Sequence, residues 1–348
     1  MAGRTPLLDE VHFGRDFRAD DQGVAAAIPW ARLRKVDASF RSFVPAALIA
    51  ACASLVELRL VGVACVDDAY LATVASSAAG ATLRLVELAC CPRLVSLAEL
   101  ARMPGLEDVR VYSCCSLEAL GIEGAKAARL ERFDVNCCDR LTSIASLSAA
   151  PALGRVEVGA SRRPVALPVD CPVLREVVLS GPKCCASFSL TSEGWSEGRW
   201  DLSTLASCPA LESVALRCIE SPLDLSPLHG CRALRRLSAQ WVHGVETPVD
   251  LSLASDLVES LRADTCKRAV FRGGLGGSAS WRDALSELVV YDCDWIAAVI
   301  PRLEPFPALR RVNIVRCLGA DRMGRPPRCP DFQATSPDWS IYDYYLKE

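Results

Sequence analysis

A spacing of apolar residues that returns about every 24 positions constrains this chain more than any other feature. From Leu106 the sequence reads LEDVRVYSCCSLEAL, with apolar residues at Leu106, Val109 and Val111, then Cys114, Leu117 and Leu120. From Leu130 it reads LERFDVNCCDRLTSI, and Leu130, Phe133, Val135, Cys138, Leu141 and Ile144 fall in the same places. The shared pattern is L-x-x-L-x-L-x-x-C-x-x-L. Further first positions lie at Leu33, Leu55, Leu83, Leu153, Leu174, Leu211, Leu234, Val258, Leu285 and Leu309, which makes twelve starts. Nine of the eleven intervals lie between 21 and 27 residues, too regular a phase to arise independently in each segment.

Each copy alternates apolar and polar residues over about four positions, which specifies a brief strand with one buried face. So short a strand is unstable alone and needs neighbours. Stacked copies supply them by aligning each strand parallel to the last and packing the leucines into one column. The segment after each strand, such as RLVSLAELARMP from Arg93 to Pro104, leaves room for a helical turn or two before the chain returns.

These residues resemble the leucine-rich repeat superfamily, and within it the variants in which Cys replaces the usual Asn after the strand. The resemblance implies an α/β fold: a right-handed solenoid with a curved parallel β-sheet on its concave face and loops or short helices on its convex face. It covers residues 31–320, with residues 1–30 as an N-terminal cap or extension and 321–348 as a C-terminal cap or tail. The copies at Leu33, Leu153 and Leu174 are degenerate, with Ala38 in place of a large aliphatic residue and Ser161 and Pro182 in place of the cysteine.

The register also accounts for the cysteine doublets. Counting the first leucine as one, position nine is Cys91, Cys114, Cys138, Cys266, Cys293 and Cys317, where a small, weakly polar side chain suits the turn and donates weakly to a carbonyl. Cys90, Cys115 and Cys137 fall at position eight or ten and are expected to be more accessible. No C-x-x-C pair exists, and His12, His229 and His243 are the only histidines, so no metal site is indicated. The N-terminus has no apolar signal region, so the eighteen cysteines are expected to be reduced thiols of a cytoplasmic protein.

The longest apolar run, Phe43 to Val56, is interrupted by Pro45 and is too short to cross a bilayer, so no membrane association is expected. Net charge is −3 and no basic stripe develops, which argues against a nucleic-acid partner. Phosphate-loop, zinc-protease, serine-hydrolase and calcium-loop motifs are absent, and the glycine-rich stretch FRGGLGGSAS lacks a lysine. No catalytic residue, cofactor or metal is expected, and the chain reads as a non-enzyme.

Strand alternation places positions one, four and six in the core and positions two, three, five, seven and eight toward solvent. Tyr, Trp and Arg dominate protein interfaces. On that basis the partner-binding residues on the concave face are expected to be Arg217, Gln240, Trp241, Arg262, Asp264, Tyr291 and Arg316, with Arg110 and Tyr112 as an earlier island. An insertion near residues 184–205 carries Trp195 and Trp200, and either forms a binding loop or covers a gap in the coil. The aromatic, acidic end DWSIYDYYLKE is either a cap or a docking peptide. The resemblance implies a protein-interaction scaffold or adaptor. A substrate-recognition subunit of a ubiquitin ligase, although no F-box is evident, and a structural subunit of a large intracellular assembly are the alternatives.

Overall fold

The computed structural model describes residues 9–14, 27–39, 43–159, 165–181, 200–217, 219, 223–240, 245–246, 266–273, 285–293, 309–315 and 331–334. They divide into two compact units, one ending at Leu174 and one beginning at Arg175. The first unit contains strands β1 (Glu10–Phe13), β2 (Lys35–Ser39), β3 (Glu57–Val61), β4 (Leu85–Ala89), β5 (Asp108–Tyr112), β6 (Arg132–Asn136) and β7 (Arg155–Gly159). Each pairs in parallel with the next, in chain order. This is the architecture of a coil of stacked repeats, each giving one strand to a parallel sheet.

Its sequence logic is direct. Positions one, four and six of the β5 copy, Leu106, Val109 and Val111, are 6%, 0% and 0% exposed, and the same positions of the β6 copy, Leu130, Phe133 and Val135, are no more than 2% exposed. Behind the strands the chain returns through short elements such as the helix Asp68–Ala75 and the 3₁₀ turn Ala98–Arg102. Asp67 caps that helix by accepting from the Tyr70 amide at 2.9 Å. The Asp68 carboxylate accepts from the amides of Val95 and Ser96 one coil later, at 2.9 and 3.1 Å, and so fastens consecutive turns. β1 was not among the twelve starts. It adds a further parallel strand within the N-terminal segment, and Phe13 at its end stacks on Trp30 with ring centroids 5.7 Å apart.

The cysteines at position nine behave as the register requires. Cys91, Cys114 and Cys138 are 0% exposed. The Cys91 Sγ donates to the carbonyls of Leu60 and Ala89, and the Cys114 Sγ to those of Leu88 and Tyr112, at 3.4–3.8 Å. Position eight has its own conformation. Gly62, Cys90, Ser113 and Cys137 all adopt positive φ, between 52° and 67°, and each amide donates to the position-seven carbonyl of the following strand at 2.7–2.9 Å. The doublets Cys90/Cys91 and Cys137/Cys138 therefore join a left-handed residue to a buried thiol, whereas Cys115 follows its buried partner and Ser113 holds the left-handed place. Cys90 and Cys115 are exposed, as expected. Cys137 corrects the expectation: it is 5% exposed and disulfide-bonded, so it is not an accessible free thiol as Cys90 is.

The second unit contains β8 (Glu176–Ser180), β9 (Ser213–Arg217), β10 (Leu223–Asp224), β11 (Arg236–Gln240), β12 (Val245–Glu246), β13 (Cys266–Gly273), β14 (Leu285–Cys293), β15 (Arg311–Val315) and β16 (Asp331–Ala334). β8, β9 and β11 pair in parallel in that order, as do β14, β15 and β16, and β10 forms a small separate pair with β12. Between these two runs β13 pairs antiparallel with both β11 and β14. The strand expected from the copy at Val258, at 260–264, lies outside the described residues. Cys266 opens an eight-residue antiparallel strand instead of closing a parallel one, because the long alternating segments of β13 and β14 pair with each other over most of their lengths.

Candidate functional site

The residues that give the chain a chemically defined surface lie on the face of the first unit opposite the leucine core. Alternation sends positions three, five and seven of every strand to this face, and in-register pairing lines them up across strands. Position five runs Asp37, Arg59, Glu87, Arg110, Asp134 and Glu157 from β2 to β7. Position three runs Glu10, Lys35, Glu57, Leu85, Asp108, Arg132 and Arg155.

Charges along these rows meet both within and across strands. Arg59 lies 3.6 Å from Glu57 on its own strand and 3.9 Å from Glu87 on the next. Arg110 grips Asp108 with two bonds, Nε to Oδ1 at 3.1 Å and Nη2 to Oδ2 at 2.6 Å, and Arg155 Nη2 donates to Glu157 Oε2 at 2.9 Å. Lys35 pairs with Glu10, and His12 stands 3.4 Å from Asp37. Partly exposed pairs of this kind each contribute about 0–1 kcal/mol, so the ladder is a minor stabiliser compared with the leucine column. Its main effect is to hold long polar side chains in fixed places on an accessible sheet.

Asp134 departs from the pattern. A position-five residue is expected to face solvent, yet this one is 1% exposed, a short side chain between strands β5 and β7 that Arg132 of its own strand binds. Arg132 directs both Nε, at 2.7 Å, and Nη2 to the same oxygen, Oδ2. Oδ1 is buried and has no hydrogen-bond partner among the described residues. An acceptor stranded in this way costs about 1–3 kcal/mol. Burial outweighs the Arg132 contact and raises the Asp134 pKa above the ordinary carboxylate value. Beside it Tyr112 is half-buried, and burial, followed by the Asp134 charge, pushes its hydroxyl up to about 12. Tyr112 stays a neutral hydrogen-bonding ring at physiological pH.

Of the expected binding residues, Arg110 and Tyr112 occupy this face as foreseen. In the second unit the backbone register places Arg217, Gln240 and Tyr291 in one row, with Arg268 between the last two. Arg268 was not foreseen. It enters because β13, rather than a strand at 260–264, pairs with β11. Trp195, Trp241, Arg262, Asp264 and Arg316 lie outside the described residues. Trp200 is 8% exposed and belongs to the core, in keeping with the alternative in which the insertion covers a gap in the coil. The sequence reading also missed Asp134 and Glu157 as a pair, although the two acids are consecutive in the position-five row.

No cluster of three or more potential metal-binding side chains occurs among the described residues. The cavity lined by Leu100, Met103, Leu106, Ile122 and Leu130 has a volume of about 20 Å³, room for a water and far below the ~300 Å³ of a metabolite pocket.

No protein-family model matches the chain, and no curated protein sequence matches it. Among solved structures, an internalin (inlF) from Listeria monocytogenes is similar over 83% of this chain and 77% of its own, at 12% identity and a TM-score of 0.38. A plant peptide hormone receptor, RGFR1 in complex with RGF2, is similar over 88% of this chain at 12% identity and a TM-score of 0.25. The chain spans only 55% of that receptor's length. The repeat assignment itself rests on the register and burial within this chain.

Proposed function

We propose that the chain is a non-enzymatic protein-interaction scaffold that presents the open face of its repeat sheet to a protein partner. The observation that carries this reading is the ordered polar ladder around Arg110 and Tyr112, a broad accessible surface fixed by cross-strand pairing. Arginine and tyrosine in such positions supply much of the energy of protein interfaces. The alternating signs of the rows disfavour a polyanion, which would need a continuous cationic stripe. No helix among the described residues is long and apolar enough to cross a membrane. Ten free thiols among the described residues support a reducing, cytoplasmic setting, and the disulfide at Cys137 weighs against it.

Affinity purification with quantitative mass spectrometry tests the reading, comparing the natural chain with an Arg110→Ala, Tyr112→Ala variant of matched thermal stability. The partner should be recovered by the natural chain and depleted at least about tenfold by the variant. Ubiquitin-ligase subunits among the recovered proteins would assign the substrate-receptor form, and cytoskeletal or organelle proteins the form of an assembly subunit. Equal recovery by both chains, or reproducible turnover of a small molecule, would overturn the proposal.

A further inference from the structure

β1 stands at the N-terminal edge of the first unit's sheet, and no strand among the described residues pairs with its outer side. The amides of Arg34 and Lys35 donate to the Asp9 carbonyl at 2.7 and 3.1 Å. Backbone groups alternate sides along a strand, so Asp9, Val11 and Phe13 bond toward β2, and the N–H and C=O groups of Glu10 and His12 point off the open edge. The apolar column is open at the same place. Val11 is partly exposed, whereas the residues of its row from Val36 on β2 to Val156 on β7 are all 0% exposed. Glu10 and His12 flank it on the opposite face, with side chains 42% and 60% exposed. An open strand edge beside uncovered apolar surface is a template for a further strand.

We propose that the further strand is β1 of a second copy of this chain, paired antiparallel about a two-fold axis that passes through Val11. The inference does not depend on what the open face of the sheet binds. A two-fold axis perpendicular to the sheet keeps polar face with polar face and apolar face with apolar face. Val11 then meets the partner's Val11, Glu10 meets the partner's His12, and His12 meets the partner's Glu10. The residues whose backbone groups point outward are thus the ones that fall opposite each other as hydrogen-bonded pairs, and they supply about four backbone bonds. The segment EVHF is self-complementary in this register, with acid against imidazole twice on one face and valine against valine on the other. A slip of one residue would turn the charged face of one copy to the apolar face of the other. Lys35 and Asp37 already hold Glu10 and His12 from β2, so the exposed acid and imidazole share their contacts across the edge rather than fill a gap. One short strand pair buries far less than the ~1,600 Å² of a stable complex, so the dimer is weak and dissociates on dilution.

The test is sedimentation equilibrium of the full chain between about 1 and 100 µM, where the average mass should rise from that of one chain toward that of two. Two variants of matched thermal stability reverse the pairing. Glu10→Lys with His12→Lys sets lysine opposite lysine at both pairs, and His12→Glu sets glutamate opposite glutamate. Each alone should dimerise at least about tenfold more weakly than the natural chain. An equimolar mixture of the two sets lysine opposite glutamate at every pair and should return to within about threefold of the natural affinity. Recovery in the mixture cannot come from a local effect of either substitution on its own chain, since both chains still carry theirs. A natural chain that stays monomeric at the highest concentration overturns the proposal and leaves the edge to a strand of another protein or to a segment of the same chain. Self-association that neither variant weakens lies on another surface and overturns it too, as does a mixture that associates no more tightly than the variants do alone.

Discussion

The thiol of Cys91 reaches back one coil to the carbonyl of Leu60 and that of Cys114 to the carbonyl of Leu88, both at 3.8 Å, so these two buried cysteines tie the ends of their own strands to the strand before. The doublets thus have two different jobs. One thiol faces the core and bonds to backbone, while its neighbour occupies the left-handed turn or the surface beyond it.

Thiol reactivity should follow that division. Cys90 and Cys115 are exposed, whereas Cys91, Cys114 and Cys138 are fully buried, and burial pushes the Cys138 thiol up to about 12. Only the thiolate attacks alkylating reagents. At pH 8 in native protein, mass spectrometry should show Cys90 and Cys115 alkylated within minutes and the three buried thiols protected until unfolding. Early modification of Cys138 would contradict the register.

Position eight offers a test of backbone strain. Ser113 holds φ at +54° so that its amide can donate to Asn136 at 2.9 Å, and a left-handed conformation costs a residue with a Cβ about 1–2 kcal/mol. Ser113→Gly should therefore stabilise the protein by about 0.5–1 kcal/mol, although part of the gain is returned through the greater freedom of glycine in the unfolded chain. Gly62, with φ at +67°, predicts the reverse for Gly62→Ala. Chemical denaturation of the two variants should move the midpoint in opposite directions.

Burial along the coil predicts a contrast between adjacent residues. Leu141 and Val135 are each 1% exposed and face the aliphatic column, whereas Asn136 lies on the open face. Leu141→Ala should cost about 2–5 kcal/mol and Val135→Ala somewhat less, with Asn136→Ala within about 0.5 kcal/mol. Similar losses at Val135 and Asn136 in thermal melts would contradict the alternation.

Much of this architecture could be read from the sequence because a repeat states its own register. Eleven of the twelve starts lead to a strand at positions three to seven. The strand Glu10–Phe13 was equally legible, since Leu8, Val11 and Phe13 repeat the apolar spacing, but a single copy near the N-terminus does not stand out from its surroundings. The antiparallel strand β13 was not legible for a physical reason. Its apolar spacing is local, whereas the pairing of β13 is decided by a partner strand that lies beyond a glycine-rich connection. The binding face was half legible. Its rows follow from alternation, but the burial of Asp134 is reached only when β5 and β7 flank it, with Arg132 bonded to it along its own strand.

That buried carboxyl leads to the last prediction, which concerns pH. Burial raises the Asp134 pKa in the folded protein above its unfolded value, so the folded state holds this proton more tightly than the unfolded chain does. The resulting contribution to stability is fully present below the unfolded pKa of about 3.9 and is lost as pH rises through the folded value. Asp134→Asn has no proton to bind. As pH falls from 7 toward about 4.5, the melting temperature of the natural chain should therefore rise relative to that of Asp134→Asn, whatever the common acid response of the other carboxylates. A difference that stays constant across this range would mean that Asp134 titrates alike in both states, and a difference that moves the opposite way would mean that Arg132, not burial, controls the carboxyl.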